Sequence, residues 1–301
     1  MNHTNRKSST VGILCAIGCE TLYGLSYIFT KQATACASEL ALLGWRFFLA
    51  VLVMSFCVLL GFIKVNLKGK PLKPLLLVAL CSPCIYFIAE TIGISHTTAS
   101  ESGVFLACIP IASLIASTLI LKEKPSKMQL IGILITLAGV LITVFAVSAS
   151  SSLSILGYAF LLVAVISYAL YSVFVDKAAA YTGAEITYVM LLSGAALFIL
   201  LAVAEAGFLG TLSELVWLPF QEPSFLIAIL YQGIGCSVLA FFLSNLAISK
   251  IGVNRTSSFI GIATVVSILA GALLLRELFT GFQIAGAVII IAGVYTANIK
   301  K

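Results

Sequence analysis

Glu20 stands in the middle of an apolar stretch, with Tyr23 and Tyr27 following at i+3 and i+7. That spacing sets a carboxyl and two phenols on one face of a helix. A carboxyl held away from water needs a partner, a water or a proton. The stripe can therefore meet an ammonium group or exchange protons, and its rings can add cation–π contacts. The plainer alternative is a protonated Glu20 held in a structural hydrogen bond. Other polar groups interrupt apolar stretches too: Arg46, Glu90 with Tyr86 one turn before it, Tyr168 with Tyr171 at i+3, and Gln232. Lipid would satisfy none of them at such depths. The expected ligand-contacting set is Glu20, Tyr23, Tyr27, Tyr86, Glu90, Tyr168, Tyr171 and Gln232, with Glu20 as the proton-coupling member. Arg46 is placed to pair with Glu90 or with Glu101, which opens the next stretch, either as a fixed salt bridge or as a gate. Asn245 lies near a span end, where it can cap or bridge helices.

Pro83 and Pro110 fall inside apolar stretches and free the carbonyls of Ala79 and Leu106. They are expected hinges or fixed bends. Other chemistries are excluded by what is missing. Cys81 and Cys84 match C-x-x-C, but His3 and His96 are the only histidines and both lie outside the apolar stretches, so no metal or redox centre is expected. There is no phosphate-cradling glycine loop, and one aspartate with two loop histidines cannot build a hydrolytic triad. No cofactor, enzymatic activity or nucleic-acid partner is expected.

The elements that must hold these residues follow from composition. Charged residues make up 9% of the 301 and hydrophobic ones 61%, against about 25% charged in a soluble chain, and the mean hydropathy is +1.17. The charges cluster between apolar runs of about 20 residues, the length that crosses a bilayer core. Ten runs can be drawn: 11–31, 40–63, 75–95, 99–121, 128–147, 156–175, 184–204, 224–248, 253–275 and 281–298. Residues 66–73, 148–154 and 207–223 read as polar linkers. Each run must be a helix, because lipid offers no partner to a free peptide group. The fold class is an all-α integral membrane protein of ten transmembrane helices, with the lipid bilayer as its first partner.

Lysines and arginines fix the expected orientation. With the N-terminus inside, Arg6, Lys7, Lys64, Lys68, Lys70, Lys73, Lys122, Lys124, Lys127, Lys177, Lys250, Arg255, Lys300 and Lys301 all fall on the cytoplasmic side. Only Lys31 and Arg276 fall opposite, so both termini are expected in the cytoplasm. Shifting the chain by 154 residues lays 119–140 on 273–294 with nine identities in 22 positions, among them Glu123/Glu277, Gln129/Gln283 and Gly132/Gly286. Runs 1–5 thus repeat as runs 6–10, over 11–147 and 155–298. Five is odd, so the two copies must face opposite ways across the bilayer. Inverted repeats of this kind build transporters with a site near the midplane between the halves.

On these residues the chain resembles the ten-helix drug/metabolite transporter superfamily, in its EamA type with two EamA repeats. The resemblance is carried by Tyr23-Gly24 with Lys31, Arg46-Phe47 and Ala112–Glu123 followed by Gln129, Gly132 and 138–140. In the second half it is carried by Tyr168–Tyr171, Asn245–Ala247, and Glu277 with Gln283, Gly286 and 292–294. Members usually carry Trp where Tyr23 and Tyr168 stand, a proline at Thr264, and no carboxylate at Glu20. The resemblance implies a carrier in the plasma membrane, often an exporter of amino acids or related metabolites, with a cavity lined by helices 1, 3, 4, 6, 8 and 9. The expected activity is secondary transport of a small amino acid or related small-molecule substrate, outward, by alternating access with protons as coupling ion. The alternatives are proton-coupled export of hydrophobic organic cations and, more distantly, a non-transporting membrane scaffold or intramembrane enzyme. Each chain holds both repeats, so a monomer is expected to suffice.

Overall fold

The computed structural model describes residues 3–97, 105–145, 154–275 and 280–299. Among the described residues there is no strand, and eight helices are long and apolar enough to cross a membrane. These are α1 (Ser9–Thr34), α2 (Glu39–Leu59), α3 (Leu72–Ile94), α6 (Ile155–Lys177), α7 (Gly183–Leu209), α8 (Pro223–Ile251), α9 (Val253–Gly271) and α10 (Gly281–Asn298). Two shorter apolar helices, α4 (Phe105–Leu121) and α5 (Lys127–Thr143), stand between α3 and α6. Large apolar side chains cover the outer surface, among them Leu14, Phe56, Leu119, Leu162, Leu200 and Val288. Such a coat is stable only in lipid.

Local chemistry starts the helices where the sequence changes from polar to apolar. The Ser38 hydroxyl accepts from the Ala41 N–H and caps α2, and Ser154 does the same for α6. Thr182 and Glu185 form a capping box on α7. The duplicated glutamines have the same duty. Gln129 accepts from the Ser126 N–H while Ser126 Oγ accepts from the Gln129 N–H, and Thr280 with Gln283 repeats the exchange at α10. The linker expected over 207–223 contains a helix instead, Leu212–Gln221. Its apolar face (Leu212, Val216, Trp217, Phe220) is exposed, and the Trp45 indole donates to the Leu215 carbonyl at 2.9 Å. An amphipathic segment with its aromatics at the membrane boundary explains why a polar count alone does not find it.

The packing pairs elements across the chain. α2 lies on α7 and α5 on α10, while α1 packs on α8 and α9 and α6 packs on α3 and α4. The first helix of each half therefore docks onto the opposite half. α1 and α8 run antiparallel: Gly12 abuts Ile251, and farther along Phe29 stacks on Tyr231 at 4.2 Å. α6 and α3 do the same, with Gly157 against His96 and Ser167 donating to the Cys81 carbonyl at 2.8 Å. Arg255 joins the start of α1 to the end of α10 by donating to Ser9 and Asn298. Both ends of the described chain thus share one face.

Three helices leave α geometry. π-helical turns occupy Leu80–Ile85 in α3, Ser117–Leu121 in α4 and Tyr231–Ala240 in α8. The first and last lie at matching places in the two halves. Pro83 sits in the α3 break, where Ser82 takes extended angles (φ −142°, ψ 124°). Pro110 lies within α4, in the first turn of the segment Ile109–Ala116 and just after a turn at Cys108. A missing N–H breaks nothing there.

Candidate functional site

Two of the three interrupted helices, α3 and α8, meet α1, α2 and α6 in the interior, and the polar residues of the apolar runs converge there. From α1 come Glu20 and Tyr23, from α3 Tyr86 and Glu90, and from α6 Tyr168 and Tyr171. Glu20 is 5% exposed, makes no hydrogen bond or ion pair among the described residues, and lies within electrostatic reach of the Tyr168 and Tyr171 phenols. Tyr23 lies in reach of the same two phenols and of Arg46. The Tyr86 and Tyr168 rings meet edge-on at 5.6 Å, and Tyr168 meets Tyr171 at 5.4 Å. Tyr23, Tyr86, Glu90 and Tyr168 are each partly exposed.

Two members of the expected set already hold other partners. The Tyr171 hydroxyl donates to Asn245 Oδ1 at 2.7 Å, so its ring, not its hydroxyl, faces Tyr168. Gln232 accepts from Arg46 Nη1 at 3.3 Å and donates to Thr30 Oγ1 at 2.9 Å. It ties α8 to α1 and α2. Asn245 bridges helices as one of its two expected roles allows, donating from Nδ2 to Thr187 Oγ1 at 3.0 Å.

Arg46 differs most from expectation. It is 7% exposed and no described carboxylate lies within 4.0 Å of it. Its Nε donates to Ser237 Oγ at 2.7 Å, and its guanidinium lies over the Phe87 ring at 4.8 Å and the Phe47 ring at 5.6 Å. Glu90 feels the Arg46 charge through space but takes its hydrogen bond from the Tyr86 hydroxyl at 2.7 Å. The Glu90 pairing does not form: Ser237 and Gln232, both in the π turn of α8, offer Arg46 neutral acceptors closer than that carboxylate. Glu101 and the Tyr27 side chain lie outside what the structure describes.

Sequence reasoning misses Ser237 and Thr30. For Ser237 the signal is the small residues around it, Gly233, Gly235 and Cys236, which permit close approach and a change of helix type. On the face shared by the chain ends, a separate cleft is lined by Glu123, Lys124, Gln129, Ile251, Gly252, Asn254 and Arg255. Ser117 donates to Asn254 Oδ1 at 2.6 Å beside it. Among the described residues no His, Cys, Asp and Glu side chains gather to hold a metal.

An acid, a guanidinium and several phenols thus lie inside a bundle of apolar helices. Known transporters resemble this chain over nearly its whole length. The model of the EamA-like transporter family matches residues 10–145 and again 155–299. The "Uncharacterized transporter YcxC" of Bacillus subtilis is 31% identical over 98% of this chain and 95% of its own length. An "Uncharacterized transporter" of Archaeoglobus fulgidus is 24% identical over 93% and 96%. A crystal structure at 16% identity superposes with a TM-score of 0.78 over 97% of this chain and 98% of its own, which shows the shared fold. This multi-pass membrane protein belongs to the EamA-like transporter family.

Proposed function

We propose that the chain is a ten-helix secondary carrier made of two inverted repeats, 11–147 and 155–298. It moves a small amino acid or related metabolite outward across the plasma membrane by alternating access, with both termini in the cytoplasm. The observation that supports this is that Glu20, Tyr23, Tyr86, Glu90 and Tyr168 lie near one another inside the bundle. Among the described residues Glu20 has no partner there, so a substrate ammonium or a proton can take that place in turn. That exclusivity couples the two fluxes. Interruption of α3 and α8 at matching positions supports a midplane site, since broken helices mark transporter binding sites.

The test is uptake into proteoliposomes under a pH gradient, with a panel of amino acids beside quaternary ammonium dyes. Amino-acid flux that follows the gradient is expected, and Glu20→Gln should abolish its pH dependence. Wild-type exchange in that variant would remove Glu20 from coupling. The second reading, export of hydrophobic organic cations, is favoured by the bare carboxyl among aromatic rings and predicts dye flux instead.

A further inference from the structure

We propose that Arg46 anchors an anionic group of the ligand, so that the carrier's substrates bear a carboxylate. The inference rests on the transport reading above and narrows its substrate class. A guanidinium taken out of water is costly unless a counter-charge or a full set of hydrogen bonds replaces the lost hydration. Arg46 has neither among the described residues. Its partners Ser237 and Gln232 are neutral, and the rings of Phe47 and Phe87 cover its face. The carboxylate whose charge it shares, Glu90, stands beyond 4.0 Å and is claimed by Tyr86.

The outer edge of the fork is free. Nη2 donates to no described residue, yet it is not among the sealed, unpartnered atoms as Arg255 Nη2 is. Nη1 gives one N–H to Gln232 and keeps the other. A guanidinium with N–H groups left over on both Nη1 and Nη2 can grip a carboxylate with two parallel bonds. The bonds from Nε to Ser237 and from Nη1 to Gln232 hold the plane of the fork in one orientation, and Gln232 is itself fixed by Thr30. Gln232 bonds Thr30, and Cys236, beside Ser237, donates to the Leu22 carbonyl at 3.6 Å, so the residues that hold Arg46 pack on the helix that carries Glu20. A ligand with an ammonium toward Glu20 and a carboxylate toward Arg46 satisfies both unpaired groups at once. A hydrophobic cation satisfies only one and leaves the guanidinium bare.

Thermal stabilisation of the purified full-length protein in detergent tests this, using L-amino acids, their methyl esters and simple monocarboxylates as probes. Ligands that bind the folded state raise its apparent stability. Acids should stabilise the wild type at least about tenfold more potently than their esters, the effect of a lost charge-assisted pair. Arg46→Gln should erase that preference, Arg46→Lys should keep part of it, and Ser237→Ala, which loosens the fork without removing its charge, should weaken acids and leave esters unchanged. Should Arg46→Gln fail to fold, the Arg46→Lys and Ser237→Ala responses decide alone. Equal potency of acid and ester on the wild type, or an unchanged acid preference in all three variants, overturns the assignment. If monocarboxylates protect and amino acids do not, Arg46 stands and the amino-acid reading falls. Protection by none of the probes removes both.

Discussion

The Tyr171 hydroxyl donates to Asn245 Oδ1 at 2.7 Å, and Asn245 Nδ2 donates onward to Thr187 Oγ1 at 3.0 Å. The chain of bonds joins α6, α8 and α7, and its members are buried. In a dry interior, leaving one of these groups unpaired costs more than the bond itself contributes. Asn245→Leu should therefore lower unfolding stability by about 1–3 kcal/mol, because it leaves the Tyr171 hydroxyl only the longer bond to Ser244 Oγ at 3.3 Å and strips Thr187 of its donor. Tyr171→Phe should cost less. The double variant should cost clearly less than the sum, as partners in one bond do. Denaturation of the four proteins in detergent measures this, and simple additivity would mean the bond contributes nothing.

Glu185 is a second buried hub, at the start of α7. Its carboxylate accepts from Lys70 Nζ at 2.7 Å, from the Asn66 N–H at 2.9 Å and from the Thr182 N–H at 2.8 Å. The α2–α3 loop is thus fastened to a helix N-terminus, where negative charge is favoured. Glu185→Ala should destabilise by about 3 kcal/mol, since it frees two backbone donors and a lysine together. Lys70→Met should cost about 1 kcal/mol, because that side chain is still 24% exposed and water can replace part of the bond. A larger loss for Lys70→Met than for Glu185→Ala would contradict this ranking.

The difference between these two sites shows what the sequence carries. Glu20, Tyr23, Glu90 and Tyr168 are legible because an ionisable or phenolic group in a long apolar run has few places to go. The repeat at Gln129 and Gln283 is legible as identity, and the capping boxes supply its physical reason. Arg46 is legible as a buried charge but its partner is not. Partner choice depends on the rotation of α8 about its axis, and a π turn shifts that rotation with only small residues as a sequence mark. Glu185 escapes notice altogether, because near a run's edge it reads as an ordinary loop charge.

Outside the spans, Glu123 gives a pH dependence of definite sign. Burial and the nearby Asp176 charge both hold its carboxyl above the ordinary value of 4.5. The ionised form is thus less at home in the folded protein than in the unfolded chain. The penalty is absent below the unfolded value and complete above the raised folded one, so this contribution falls as pH rises through that interval. Glu123→Gln should raise the melting temperature at neutral pH and flatten its fall as pH rises above the ordinary carboxylate value. Asp176→Asn should do part of the same by removing the repulsion. A melting temperature that drops in Glu123→Gln at pH 7 would show instead that the carboxylate is stabilised, for example by Arg255 across their shared cleft.

The α5–α10 contact leaves no room for side chains at its glycines. A Cβ on Gly139 would lie 2.8 Å from the Gly286 carbonyl and 2.8 Å from the Ile290 nitrogen, both rigid backbone. Gly286 faces Gly139 in the same way, with a Cβ 2.7 Å from its carbonyl. Small residues that let two backbones approach this closely supply much of helix association in lipid, where no hydrophobic force acts between helices. Gly139→Ala and Gly286→Ala should each cost about 1–3 kcal/mol by forcing the pair apart. Gly207, near the end of α7, is the control: a Cβ there meets nothing within 4 Å. Gly207→Ala should raise stability by up to about 1 kcal/mol through helix propensity alone. The opposite signs follow from geometry, because the same methyl group reduces chain entropy at all three positions and finds space at only one. Equal effects of Gly139→Ala and Gly207→Ala on unfolding would mean that α5 and α10 do not approach as closely as their glycines allow.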